Sequence, residues 1–105
     1  MALLTQANRD ALPKLYATDG DPNQQAVVKF FTPDSGWTWY GCEFDGEDTF
    51  FGLVDGFECE LGYFSLSELE TTTGPSGLPI ERDQHFTPVK VSTLQDDIRA
   101  RRYIS

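Results

Sequence analysis

The sequence predicts a small α+β domain: an antiparallel β-meander of about four strands, with short helices at the N-terminus, after the meander and at the C-terminus. Three observations carry that prediction. Apolar and aromatic runs at residues 26–31, 37–44 and on both sides of Val54 have strand composition. Asp45-Gly46 and Asp55-Gly56 punctuate these runs as tight hairpin turns, because glycine tolerates positive φ. Ser65 with Glu68 and Ser92 with Gln95 read as capping boxes, each starting a helix.

Taken in order, Thr5 is the expected N-cap of a helix over residues 6–12, with Leu4, Ala7 and Ala11 offering a narrow apolar stripe. Pro13 has no N–H and would clash with the carbonyl of Arg9, so the helix ends near Leu12. Leu15 and Tyr16 are expected to pack back on the core, and residues 17–25 (ATDGDPNQQ) are turn chemistry throughout. Strands over 26–31 and 37–44 follow. Taken as a two-residue loop, Asp55-Gly56 sets Val54 opposite Phe57, Gly52 opposite Cys59 and Phe50 opposite Leu61. By alternation, Trp37, Trp39 and Phe50 then share a core face. Tyr40, Cys42, Phe44, Phe51, Leu53, Glu58 and Glu60 share the other, mixed face.

On that register Cys42 and Cys59 project to opposite faces and remain free thiols, a relation that a one-residue bulge would reverse. Phe64 and Leu69 are spaced as a hydrophobic staple around the helix starting at Leu66, which Gly74-Pro75 breaks. Residues 79–83 and 86–91 read as short edge segments, the second confined to an edge by Pro88. In the last helix Asp96 and Asp97 are expected in the first turn and Arg99, Arg101 and Arg102 near the end, matching the helix dipole. Leu94 and Ile98 form its apolar seam.

A chain of 105 residues has room for one hydrophobic core, so residues 1–105 read as a single domain. Seventeen acids against eight bases give a net charge of −9, which repels nucleic-acid phosphates and anionic lipid. The natural counterpart is a basic protein; neither direct nucleic-acid binding nor membrane binding is expected. Two cysteines are too few for a secreted disulfide framework; residues 1–10 lack the basic and apolar regions of a secretory signal, so none is expected, and no apolar run approaches membrane length. A soluble, reduced, cytoplasmic protein is expected.

Residues 30–81 hold eleven Asp or Glu and no Lys or Arg. The acids around residues 43–48 do not continue into the regular oxygen-ligand spacing of a calcium loop. The GPSGLP stretch lacks the Lys-Ser/Thr of a phosphate-binding loop. His85 with Cys42 or Cys59 formally supplies a nucleophilic pair, without a local signature for it, and the spacings match no zinc motif. Aromatics on a sheet suit single-stranded nucleic acid only beside a positive groove, and this stretch is negative. No catalytic residue, metal site or cofactor is therefore assigned. What remains is partner binding by Glu43, Asp45, Glu47, Asp48, Phe51, Asp55, Glu58 and Glu60. Glu58 and Glu60 lie two strand rises apart, ~6.8 Å, with Phe51 and Leu53 as apolar anchors on the same face.

The run FFTPDSGWTWYGCEFDGEDTFFGLVDGFECELGYFSLSELE, with LTQANRDALPKLYAT before it and GLPIERDQHF after it, closely resembles the bacterial domain-of-unknown-function family numbered 2958. The resemblance covers most of the chain. It implies a setting on plasmids, phages and integrative elements, often among anti-restriction and conjugation genes, and supplies no activity for any residue. In that setting the expected function is a mobile-element accessory protein of counter-defence type. It would be a non-enzymatic acidic module or inhibitor engaging a basic host or mobile-element protein that handles nucleic acid. The alternative is a small metal-dependent hydrolase or nuclease using a carboxylate pair such as Glu43, Glu58 or Glu60. A third reading is a structural adaptor for an unrelated host protein.

Overall fold

The computed structural model describes the backbone of residues 3–104 and side chains through residue 102. In chain order the elements are α1 (Gln6–Ala11), β1 (Gln25–Ala26), β2 (Val28–Phe31), β3 (Thr38–Phe44), β4 (Thr49–Asp55), β5 (Cys59–Ser65), α2 (Leu66–Thr71), β6 (Glu81–Arg82), β7 (Val89–Lys90) and α3 (Val91–Ile104). Five strands form one antiparallel sheet in the order β5-β4-β3-β2-β6, and β1 pairs with β7 in a separate two-stranded sheet. The α+β class and antiparallel meander stand, with more strands than the four expected. The 26–31 run is divided between two sheets: Ala26 pairs with Val89 and Val28 with Gly41.

Caps fall where the sequence places them at two of the three helices. Thr5 accepts the N–H of Asn8 and Asn8 accepts that of Thr5, a reciprocal capping box. Ser65 accepts the N–H of Glu68 and starts α2. The third helix begins at Val91, one residue before Ser92, and has no acid in its first turn. The N-terminal helix buries none of its own residues; the flanking Leu4 and Leu12 are buried while Ala7 and Ala11 are exposed. Tyr16 is also exposed, with φ +70°, and does not pack on the core.

Two local irregularities decide which side chain faces where. The β4–β5 connection has three residues, since Asp55 pairs with Cys59 and Val54 with Glu60. This is an odd offset from the two-residue loop expected at Asp55-Gly56, so every residue of β5 exchanges faces relative to β4. Glu60 consequently lies on the Val54 side and no longer shares a face with Phe51 and Leu53. The second irregularity is a bulge in β3: Gly41 pairs with Gly52, but Glu43 pairs with Phe51 and Phe44 with Phe50, leaving Cys42 as the extra residue. Phe44 is thereby returned to the face of Phe50. Close approach at this point requires glycine, because a Cβ on Gly52 would lie 1.8 Å from the Tyr40 carbonyl oxygen.

Both faces of the sheet are covered. On one, Val28, Phe30, Phe44 and Phe50 pack with Leu4, Leu12, Leu66, Leu69 and Ile80; Trp39 and Phe64 join at the margin. On the other, Ala26, Tyr40, Cys42 and Leu53 pack beneath Val91 and Ile98 of α3, with Leu94 beside them. The expected mixed outer face is therefore, over its Tyr40–Cys42–Leu53 portion, the floor of a second apolar cluster. Cys42 and Cys59 are free thiols but share this cluster, contrary to the opposite-face expectation, because Cys42 keeps the face of Tyr40 while the longer loop turns Cys59 onto it.

Candidate functional site

The acids singled out in the sequence do not gather on one surface. Glu43 is only 2% exposed: it accepts the N–H groups of Tyr16 and Thr18, both at 2.8 Å, and the Thr18 hydroxyl. Burial pushes its carboxyl up, but the bonds from Thr18 and Tyr16 outweigh this and hold it below the usual carboxylate range. Asp45 accepts the N–H groups of Glu47, Asp48 and Thr49 at 2.8–3.0 Å, closing its own turn and lowering its pKa. Asp48 accepts the Ser65 hydroxyl at 2.6 Å and the Ser67 N–H at 2.8 Å, which ties the β3–β4 turn to the start of α2 and lowers its pKa. Glu47 is exposed in the same turn. Phe51 is half-buried, edge-on to Tyr63 at 5.2 Å.

At the other end of β4, about seven strand rises or ~20 Å away, the carboxylates sit in a different environment. Asp55 is paired with Arg102 at 2.6 Å and Arg101 at 3.9 Å, and its side chain is 13% exposed. Glu58 and Glu60 are exposed and, with Trp37, Val54 and Phe57, line an open cleft of about 370 Å³. The register explains the grouping: Trp39, Val54 and Glu60 lie side by side on three successive strands. The Trp37 and Trp39 rings stack at 5.8 Å, while Phe57 meets Trp37 edge-on at 5.2 Å and is itself 87% exposed.

The loop bearing Phe57 is fixed from behind. Arg102 of α3 donates to the Gly56 carbonyl at 3.1 Å and the Phe57 carbonyl at 3.2 Å while pairing with Asp55. Gly56 leaves the space that the Trp37 ring occupies: a Cβ there would stand 2.2 Å from it. Two aromatic rings set nearly at right angles, with two carboxylates beside them that have no partner among the described residues, suit a guanidinium or ammonium group, which gains both ion pairing and attraction to a ring face. Glu58 and Glu60 were legible as candidates. Trp37 was read as core and Phe57 as a strand residue; the available signal was the Gly-Phe-Glu sequence at a turn, where a large aromatic has no core to enter.

Neither cysteine is poised for nucleophilic chemistry. Burial, with the adjacent Glu43 charge, pushes the Cys42 thiol up to about 12, and burial with Asp55 raises Cys59. His85 is exposed beside Asp83, whose carboxylate accepts the backbone N–H of His85 at 2.9 Å. Among the described residues no three His, Cys, Asp or Glu side chains are grouped to hold a metal ion, and no helix is long and apolar enough to cross a membrane.

The family model described as "Protein of unknown function (DUF2958)" matches residues 3–102. No curated protein and no solved structure matches the chain.

Proposed function

The chain belongs to the DUF2958 family of proteins of unknown function, and we propose that it is a non-enzymatic module that binds a basic protein through the Trp37–Phe57–Glu58–Glu60 cleft. The supporting observation is the pairing of two exposed carboxylates with an aromatic wall held in place by Gly56 and Arg102. An arginine or lysine from the partner would lie against Trp37 or Phe57, an arrangement worth about 0.5–1 kcal/mol at an exposed site, while Glu58 and Glu60 take its charge. The net charge of −9 adds long-range steering toward positive surfaces. Proteins that handle DNA or RNA present such surfaces, and a counter-defence role on a mobile element would direct the module to one of them.

Trp37 lines this cleft and Trp39, the other tryptophan of the chain, stacks on it, so tryptophan emission reads its occupancy. Titration with an arginine-rich peptide should produce a saturable change in tryptophan fluorescence that weakens as salt rises, and a polyglutamate peptide should produce none. The Glu58→Gln/Glu60→Gln variant should lose the response while keeping the native circular dichroism spectrum. An unchanged titration in that variant, or no saturable response in the native protein, sinks the proposal.

A further inference from the structure

The two edges of the five-stranded sheet are unlike. The β6 edge is two residues long, both charged, and follows Pro79 closely, all features that discourage further pairing. The β5 edge is seven residues long, pairs with β4 without a register break, and reads Cys-Glu-Leu-Gly-Tyr-Phe-Ser with no proline, lysine or arginine. No strand lies beyond it among the described residues. Its outward backbone N–H and C=O groups form a template for another strand, and Leu61 and Tyr63 beside them are 46% and 55% exposed on one face.

We infer that β5 pairs antiparallel with β5 of a second copy about a two-fold axis at Gly62, joining two five-stranded sheets into one of ten. The occupant is selected by the strand's self-complementarity. In this register Cys59 faces Ser65 of the other copy, Glu60 faces Phe64, Leu61 faces Tyr63 and Gly62 faces Gly62, so all seven residues of the strand are paired. A two-fold contact brings each such pair twice, and two Leu–Tyr pairs cover the apolar surface left open in one copy. No like charges stand opposite one another, whereas a register centred on Glu60 would set carboxylate against carboxylate. At the axis, Gly62 leaves the approach unobstructed, since a Cβ there would meet nothing within 4 Å.

The net charge of −9 on each copy opposes this association from a distance. Screening shortens that repulsion from about 8 Å at physiological salt to about 3 Å at 1 M, so dimerisation should strengthen with salt. Binding of a basic partner weakens with salt, and Leu61 lies on the sheet face opposite the Glu60 cleft, which keeps the two activities separable.

Sedimentation velocity across a range of protein and salt concentrations should show a monomer–dimer equilibrium that moves toward dimer at high salt. Leu61→Lys should weaken it roughly tenfold, because two cross-strand pairs are lost together, and should leave the arginine-peptide response of the cleft unchanged. Under mild oxidation with diamide, Gly62→Cys should form a disulfide-linked dimer about tenfold faster than Leu78→Cys, an exposed control, since pairing holds the two positions 62 together. A monomer at every concentration and salt overturns the inference. So does a dimer that Leu61→Lys leaves intact and in which the cysteine variants link at equal rates, because the copies would then meet elsewhere. An edge that accepts an extended segment of a different protein would give the monomer result.

Discussion

Replacement of Glu43 by glutamine tests whether this carboxylate is a structural anchor or part of a binding surface. The side chain is 2% exposed and accepts three hydrogen bonds, two from backbone N–H groups and one from a hydroxyl. The Thr18 hydroxyl accepts from Gln24, so its own proton is committed to Glu43. An amide of the same shape has one acceptor oxygen and sets an NH₂ group against a donor. A hydrogen bond to a charged group contributes about 1.5–3 kcal/mol; losing the bond from Tyr16, whose N–H the NH₂ group then opposes, predicts a destabilisation of about 2–4 kcal/mol. For a domain of this size that corresponds to a fall in Tm of roughly 10–30 °C.

Its pH dependence has a definite sign. The folded carboxyl titrates below its unfolded value, so its contribution is complete above the unfolded pKa and disappears as pH falls through the folded one. The gap between native protein and variant should therefore be full at neutral pH and close below about pH 4. Urea denaturation followed by far-ultraviolet circular dichroism at pH 7 and at pH 3–4 measures it. A gap under about 0.5 kcal/mol at neutral pH, or one that stays constant in acid, would refute the anchoring role.

Two further outcomes follow from the second face of the sheet. Arg102→Ala should cost about 1 kcal/mol in stability, in keeping with a half-exposed side chain, but should shift tryptophan emission and weaken arginine-peptide binding. Arg102→Lys should restore the charge without the forked contacts to Asp55, Gly56 and Phe57, and unaltered emission in both variants would count against the clamp. Native stability should also decline as pH rises above about 9, because the unfolded Cys42 thiol ionises from 9.0 while the folded one keeps its proton to about 12. In Cys42→Ala a chemical melt should show that decline reduced between pH 9 and 10, and an identical slope would rule the thiol out as its source.

Much of the architecture could be read from local chemistry, because Thr5, Ser65 and the Asp-Gly pairs act over three or four residues. Facing could not. A strand's side chains alternate with period two, so one unrecognised extra residue reverses everything beyond it. Cys42 and the third loop residue after Asp55 are such extras, and neither has a sequence mark separating it from its neighbours. The same limit applied to the site. The acids of 43–48 are dense in sequence yet spent on Tyr16, Thr18, Ser65, Ser67 and their own turn, contacts arising from segments up to 27 residues away. Glu58 and Glu60 remained readable because nothing among the described residues claims them, whereas the wall beside them comes from Trp37 on the far side of two strands.

The cover over Tyr40 and Leu53 comes from the end of the chain, and this bears on how the protein is made. The long strands pair with their neighbours in sequence and can zip together as they leave the ribosome, the five-stranded sheet being complete once Arg82 has emerged. The residues that pack one face, Leu4, Leu12, Leu66 and Leu69, all precede that point in the chain, whereas Val91 and Ile98, which cover the other, follow it. A chain folded as far as Arg82 but without α3 would therefore present a bare apolar floor and an open seven-residue edge together. The last fourteen described residues cover that floor, and any delay in their arrival would lengthen the interval in which a chaperone, or another nascent copy, could find it first.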